Sequence, residues 1–191
     1  MRFYNKEDYG VAAHWFRKAA KTGHAAAQTM MGIFSYEGLG GVAQNYATAV
    51  MWLEKAANQD DTKAQTLLAD CYMKGAGVRR DGSKALQLYR KAAKKGDAAA
   101  QNSLGECYFY GKVVFRNYST AAEWFRKAAE QGNADAQNNL GMCYQYRKGV
   151  DLNFSKAEEW YQKAAAQGHQ QAKEILSLVK EAILKEQQGK K

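Results

Sequence analysis

Proline is absent from the 191 residues. Proline costs about 3 kcal/mol in a helix interior and alanine costs least of all residues, so its absence beside abundant alanine favours helices. Long apolar runs are missing too: none approaches the roughly 20 residues that a membrane-spanning helix needs. Met1 to Gly10 are polar and aromatic, without the apolar stretch of a secretory signal. As it stands the chain reads as cytoplasmic, and as periplasmic or secreted if a leader was removed from a longer parent. Cysteine is scarce and odd in number, at Cys71, Cys107 and Cys143, which argues against a complete disulfide framework. Histidine is limited to His14, His24 and His169. There is no His-Glu-x-x-His pair for zinc and no Gly-x-Ser-x-Gly elbow. No nucleophile–base constellation is visible, so no catalytic residue, metal or cofactor is expected. Hydrophobic residues make up 46% of the chain, which excludes compositional disorder.

What is there is repetition. Lys-Ala-Ala recurs at Lys18, Lys55, Lys91, Lys127 and Lys163, spaced by 37, 36, 36 and 36 residues. Three residues earlier stand Trp15, Trp52, Leu88, Trp124 and Trp160, and next to them Phe16, Leu53, Tyr89, Phe125 and Tyr161. Glutamine keeps the same beat at Gln28, Gln65, Gln101 and Gln137, followed by Met31-Gly32, Leu68-Ala69, Leu104-Gly105 and Leu140-Gly141. A fixed period of this length marks an architecture of stacked units.

Each period holds two helices. The first runs through Ala-Gln-x-x-Leu-Gly-x-x-Tyr and ends near Gly38, Gly75, Gly111 and Gly149. The second starts at Asp8, Asn45, Asp81, Asn117 and Asn153, side chains able to accept a bond from an orphan amide of the first turn. It stops at Gly23, Gly96, Gly132 and Gly168, with Asp60 standing once for glycine. The chain is therefore read as one domain over 1–191: a half-unit at 5–23, units at 24–60, 61–96, 97–132 and 133–168, and a capping helix at 169–187. Ala172, Leu176 and Val179 continue the first-helix columns into that cap, whereas Gly189 to Lys191 are expected to fray. The beginning at a second helix suggests a segment of a longer protein or a degenerate first unit.

The run from Ala64 to Gly96, with Leu68, Tyr72, Gly75, Gly77, Val78, Asp81, Lys84, Ala85 and Lys91, resembles the Sel-1-like repeat family, a branch of the tetratricopeptide-like solenoids. Ala100 to Gly132 resembles it as well, through Leu104, Gly105, Tyr108, Gly111, Val114, Trp124 and Lys127. The resemblance covers nearly the whole chain. It implies an all-α, right-handed α-α superhelix whose concave face is built from first helices. It further implies a non-catalytic scaffold or adaptor, often bacterial, that binds a partner protein or peptide. Some relatives resemble immunity proteins that neutralise a secreted effector such as a phospholipase.

The candidate site follows by analogy with tetratricopeptide folds. The non-core first-helix positions flank the leucine column. They give Met30, Ile33, Tyr36, Leu67, Asp70, Met73, Asn102, Glu106, Phe109, Tyr110, Asn138, Asn139, Met142 and Tyr146 as partner-binding residues. Aromatics suit binding hot spots, methionine adapts to irregular partners, and asparagine can bond a peptide backbone. The cysteine column, which also holds Phe34 and Val179, reads as apolar packing with free thiols. His24 and His169 fall at helix starts and read as caps. The tryptophan column, at helical spacing from Ala12, Ala49, Ala121 and Ala157, is expected in the core. The net charge of +9 raises the prior for acidic partners. Lys55, Arg90, Lys91, Arg126, Lys127 and Lys163 fall on the outer second helices, so a solvated face is expected, with nucleic acid or anionic membrane as a lesser alternative.

Overall fold

The computed structural model describes the backbone of residues 6–188 and the side chains of 9–180 and 183. The expected fraying of 189–191 lies outside the described residues. Among these there are ten α-helices and no strand. They are α1 (Lys6–Lys21), α2 (Ala25–Glu37), α3 (Tyr46–Ala57), α4 (Thr62–Lys74), α5 (Gly82–Lys94), α6 (Ala98–Tyr110), α7 (Tyr118–Glu130), α8 (Ala134–Gln145), α9 (Phe154–Ala166) and α10 (Gln170–Gln188). None is long and apolar enough to cross a membrane. The helices form two compact units, one ending at Lys95 and one starting at Gly96. In the first, α1 to α5 each pack on the next; in the second, α6 to α10 do the same.

The caps are where the residue pattern puts them. Asn45, Asp81, Asn117 and Asn153 each accept a bond from the amide three residues on, at 2.8–3.0 Å. Asp61, Asp97 and Asn133 do the same for the first helices. His24 and His169 fill that role through Nδ1, at 3.4 and 3.2 Å. Two boundaries differ from expectation. α1 already starts at Lys6, so Asp8 lies within the helix and does not cap it. α8 ends at Gln145, so Gly149 does not close it; the first left-handed residue after that helix is Arg147, at φ 52°, with Gly149 following at φ 74°.

Alanine and one or two large side chains from most helices build the core. Leu53, Tyr89, Phe125 and Tyr161 of the second helices are buried, facing the small-residue column of the first. A β-carbon at Gly105 would sit 2.6 Å from the Phe125 ring, and one at Gly141 would sit 3.0 Å from Tyr161. Glycine at these positions lets the paired helices approach to the thickness of a ring.

The tryptophans are not core residues. Trp15 is 60% exposed, and Trp52, Trp124 and Trp160 are half-buried. The reason is the lysine three residues on. Lys18, Lys55, Lys127 and Lys163 lie over those four rings with Nζ 4.0–5.4 Å from the centroid. The indole packs one face inward and offers the other to a cation, a contact of about 0.5–1 kcal/mol at exposed sites. The residue after each tryptophan carries the core position instead.

The glutamine column has a role that the repeat alone does not disclose. Gln28, Gln65 and Gln137 are buried and donate through Nε2 to Ala20, Ala57 and Ala129, carbonyls in the last turn of the preceding helix. Such carbonyls have no partner inside their own helix. Gln28, Gln101 and Gln137 accept in turn, at 2.7–2.8 Å, from Gln59, Gln131 and Gln167. Between Asp60 and Lys95 the bracket changes. Lys95 stands in the donor column, and it reaches the Asp60 carboxylate at 3.4 Å and its carbonyl at 3.2 Å. Lys91 pairs with the same carboxylate at 2.5 Å. Lys91 is the lysine whose helix carries Leu88 in place of tryptophan. Two departures from the repeat, Asp60 and Lys95, thus meet Lys91 in one ion cluster, and the third, Leu88, lies one turn before Lys91 on the same helix. Lys91 and Lys95 hold the Asp60 carboxyl below its ordinary pKa by hydrogen bonding and charge.

Candidate functional site

The three cysteines are free and buried. Burial pushes the Cys71 thiol up to about 11 and that of Cys143 to about 12. A thiol held protonated is a poor nucleophile and a poor metal ligand. Among the described residues no group of three His, Cys, Asp or Glu side chains lies close enough to hold a metal ion.

In the first unit, α2 and α4 bring their solvent-facing positions to a cavity of about 210 Å³ lined by Gly32, Ile33, Tyr36, Glu37, Leu53, Leu67, Asp70, Cys71 and Lys74. Ile33, Tyr36, Leu67 and Asp70 were candidates by sequence. Leu53, itself buried, borders the cavity from α3 where Gly32 has no side chain to intervene; a β-carbon on Gly32 would lie 2.7 Å from it. The lining is apolar at Ile33, Leu53 and Leu67 and charged at Glu37, Asp70 and Lys74. Asp70 is fixed by a hydrogen bond from the Tyr89 hydroxyl. Tyr36 rests against Tyr46, with centroids 4.9 Å apart. Met30 and Met73 are half-buried on the same two helices and do not line the cavity.

The second unit presents a more polar set. Asn139 of α8 donates to Asn102 of α6 at 3.0 Å, Asn102 donates to Glu106 at 3.1 Å, and Asn138 donates to Gln171 of α10 at 3.3 Å. Asn102 and Asn138 are buried, so part of this amide row serves the helix stack itself. Phe109 and Met142 are likewise claimed by packing. Phe109 lies 5.1 Å from Tyr118 and 6.0 Å from Phe125, and Met142 packs on the core between α9 and α10. Tyr110 and Tyr146 stay 55% and 56% exposed. Partial burial, then the Glu106 charge, raises the Tyr110 hydroxyl above its ordinary pKa.

Five consecutive copies of the Sel1 repeat model match the chain, at residues 6–24, 25–61, 62–97, 98–133 and 134–169. The chain belongs to the Sel1 repeat family. Solved structures agree. A Sel1 repeat protein from Oxalobacter formigenes is 33% identical, with a TM-score of 0.81 over 88% of this chain and 66% of that one. The protective antigen c5321 of uropathogenic Escherichia coli, described as having an SLR fold, is 39% identical, with a TM-score of 0.77 over 85% of this chain and 35% of that one. Helicobacter pylori cysteine rich protein B is 28% identical, with a TM-score of 0.55 over 65% of this chain and 94% of that one. This chain thus spans less than two thirds of the length of the first two. No curated protein matches it. Sel1 repeat proteins mediate protein–protein interaction and are generally non-catalytic.

Proposed function

We propose that this Sel1 repeat protein is a non-catalytic scaffold that grips a segment of a partner protein on the first-helix faces of its units. The carrying observation is the cavity between α2 and α4, with aliphatic walls at Ile33, Leu53 and Leu67 and carboxylates at Glu37 and Asp70. At about 210 Å³ it falls below the roughly 300–1,000 Å³ of small-molecule sites. One large aliphatic or aromatic side chain suits it, with a basic neighbour satisfying the carboxylates. In the second unit Tyr110 and Tyr146 supply rigid aromatic contact area, and Asn139 supplies an amide. An immunity role, in which the gripped segment belongs to a secreted effector such as a phospholipase, is a special case of the same grip.

The outer lysines argue against nucleic acid. Four of them cover tryptophan faces, which a single-stranded partner would need open for base stacking.

The test is a pull-down with the full chain as bait, followed by titration of the partner so identified. Ile33→Asp with Leu67→Asp puts two charges into the cavity wall, and tenfold or greater weakening is expected. Tyr110→Ala with Tyr146→Ala probes the second unit. Unchanged affinity in both double variants would remove the inner-face assignment.

A further inference from the structure

The connections between paired helices in the second unit differ from those in the first. In the first unit every left-handed position of these connections is a glycine, Gly38, Gly40 and Gly41, then Gly75 and Gly77. In the second unit each connection has lost one. Val113 stands at φ 68° beside Gly111, and Arg147 stands at φ 52° beside Gly149. A β-branched residue at such φ is strained, and strain of this kind concentrates where a loop has work to do.

These two loops also expose apolar side chains. Phe115 is 97% exposed, with Leu152 at 51% and Val113 at 46%. Cations alternate with them along the chain: Lys112 and Arg116 in one loop, Arg147 and Lys148 in the other, against the single carboxylate of Asp151. The loops are neighbours. Arg116 and Lys148 approach the same Tyr118 ring, at 5.3 and 4.8 Å, and a β-carbon at Gly149 would strike the Tyr118 carbonyl at 2.1 Å. None of these four cations is in an ion pair among the described residues; Lys112 lies over the Tyr110 ring at 5.0 Å, and such ring contacts leave the positive charge unneutralised and open to an external anion.

We infer that this loop edge is a peripheral docking surface for a bilayer containing anionic phospholipid, with Phe115 as the inserting side chain. Charge complementarity selects the occupant: four cations to one carboxylate around the apolar tips match a negative headgroup plane. Shape agrees. A side chain exposed at 97% has no walls of its own, so its apolar surroundings must come from the other side. Aromatic side chains settle at the boundary between headgroups and acyl chains without shape complementarity. This surface adjoins the first-helix face at Tyr110, over which Lys112 lies, but Phe115 sits in the loop and not on a first helix, so neither reading depends on the other.

The experiment is co-sedimentation of the full chain with phosphatidylcholine vesicles, with and without phosphatidylglycerol. Binding to the mixed vesicles alone, weakening as salt rises, is expected. Phe115→Ser should lower the partition coefficient on the order of tenfold, with an unchanged circular dichroism spectrum because the side chain is already in solvent. Lys112→Glu with Lys148→Glu should abolish binding. Phe115→Trp should gain emission that is quenched by brominated acyl chains beyond the quenching of the wild-type protein. No binding to mixed vesicles overturns the inference. So does binding that Phe115→Ser leaves intact, since that would assign it to dispersed surface charge. Capture of an acidic protein through Phe115 without vesicle binding also overturns it.

Discussion

Lys95→Gln should stabilise the protein, and the size of the effect follows from one oxygen. Gln65 is fully buried, its Nε2 is spent on Ala57 and Asp60, and its Oε1 has no partner. In three other units the equivalent oxygen accepts from a glutamine at the column Lys95 occupies. Leaving a buried acceptor unsatisfied costs about 1–3 kcal/mol, and a normal hydrogen bond contributes about 1 kcal/mol net. Against that gain stands the loss of Lys95 from Asp60. That contact is solvent-screened and the longer of the two, at 3.4 Å, while Lys91 remains at 2.5 Å. The balance is a gain of about 1 kcal/mol. Urea unfolding followed by tryptophan emission would read it as a higher midpoint at unchanged slope. The control is a double-mutant cycle with Gln65→Leu: in that background Lys95→Gln should gain nothing. A loss of stability on Lys95→Gln, or a gain that survives Gln65→Leu, would refute the reasoning.

Gly105→Ala and Gly141→Ala should part company. Both gain about 1 kcal/mol of helix propensity, but only at Gly105 does the new carbon come within 2.6 Å of a ring, where overpacking costs about 1–3 kcal/mol. Denaturant titration should find Gly105→Ala the less stable of the two, and the order should vanish when Phe125→Leu is added. The thiols give a pH signature. The unfolded chain ionises near 9.0, whereas the folded thiols hold their protons to about 11 at Cys71 and about 12 at Cys143. The folded state is therefore disfavoured as pH rises from about 9 through 11–12. Replacing both cysteines by alanine should flatten that stretch of a stability–pH curve. At pH 8 native protein should resist thiol reagents that label it readily in denaturant.

The fold was legible because each column repeats the same local physics. A cap side chain, a small residue opposite a large one and a left-handed terminator recur at one period, and no alternative element satisfies all three. Depth was less legible. The tryptophans share the helical phase of core residues, yet periodicity locates a face and not how far a side chain sinks. The lysine three residues later is what lets the indole stop halfway. The candidate face shows the same limit. Ile33, Tyr36, Leu67 and Asp70 do meet at one cavity, but Asn102 and Asn138 are buried, and Phe109 and Met142 pack into the stack. Leu53 was out of reach, because its place at the cavity depends on a missing β-carbon in another helix.

Departures from the repeat carry the individual character of this chain. Asp60, Leu88 and Lys95 each read as tolerated drift when taken singly. Together they are one substitution in three parts. Losing tryptophan at Leu88 frees Lys91 from its ring, aspartate in place of glycine supplies a new anion, and Lys95 joins it at the expense of Gln65. The loops of the second unit follow the same logic in the other direction. Val113 and Arg147 accept strain where glycine was the easier residue, and the neighbouring Phe115 has no contact that rewards it within the protein. An ion cluster within the protein accounts for the first group, at the cost of the Gln65 acceptor, whereas no internal contact accounts for the exposed Phe115. The fold was free to place glycine and a polar tip at that edge, as it does at Gly77 and Arg79, and an exposed phenylalanine between cations needs a surface other than the protein's own.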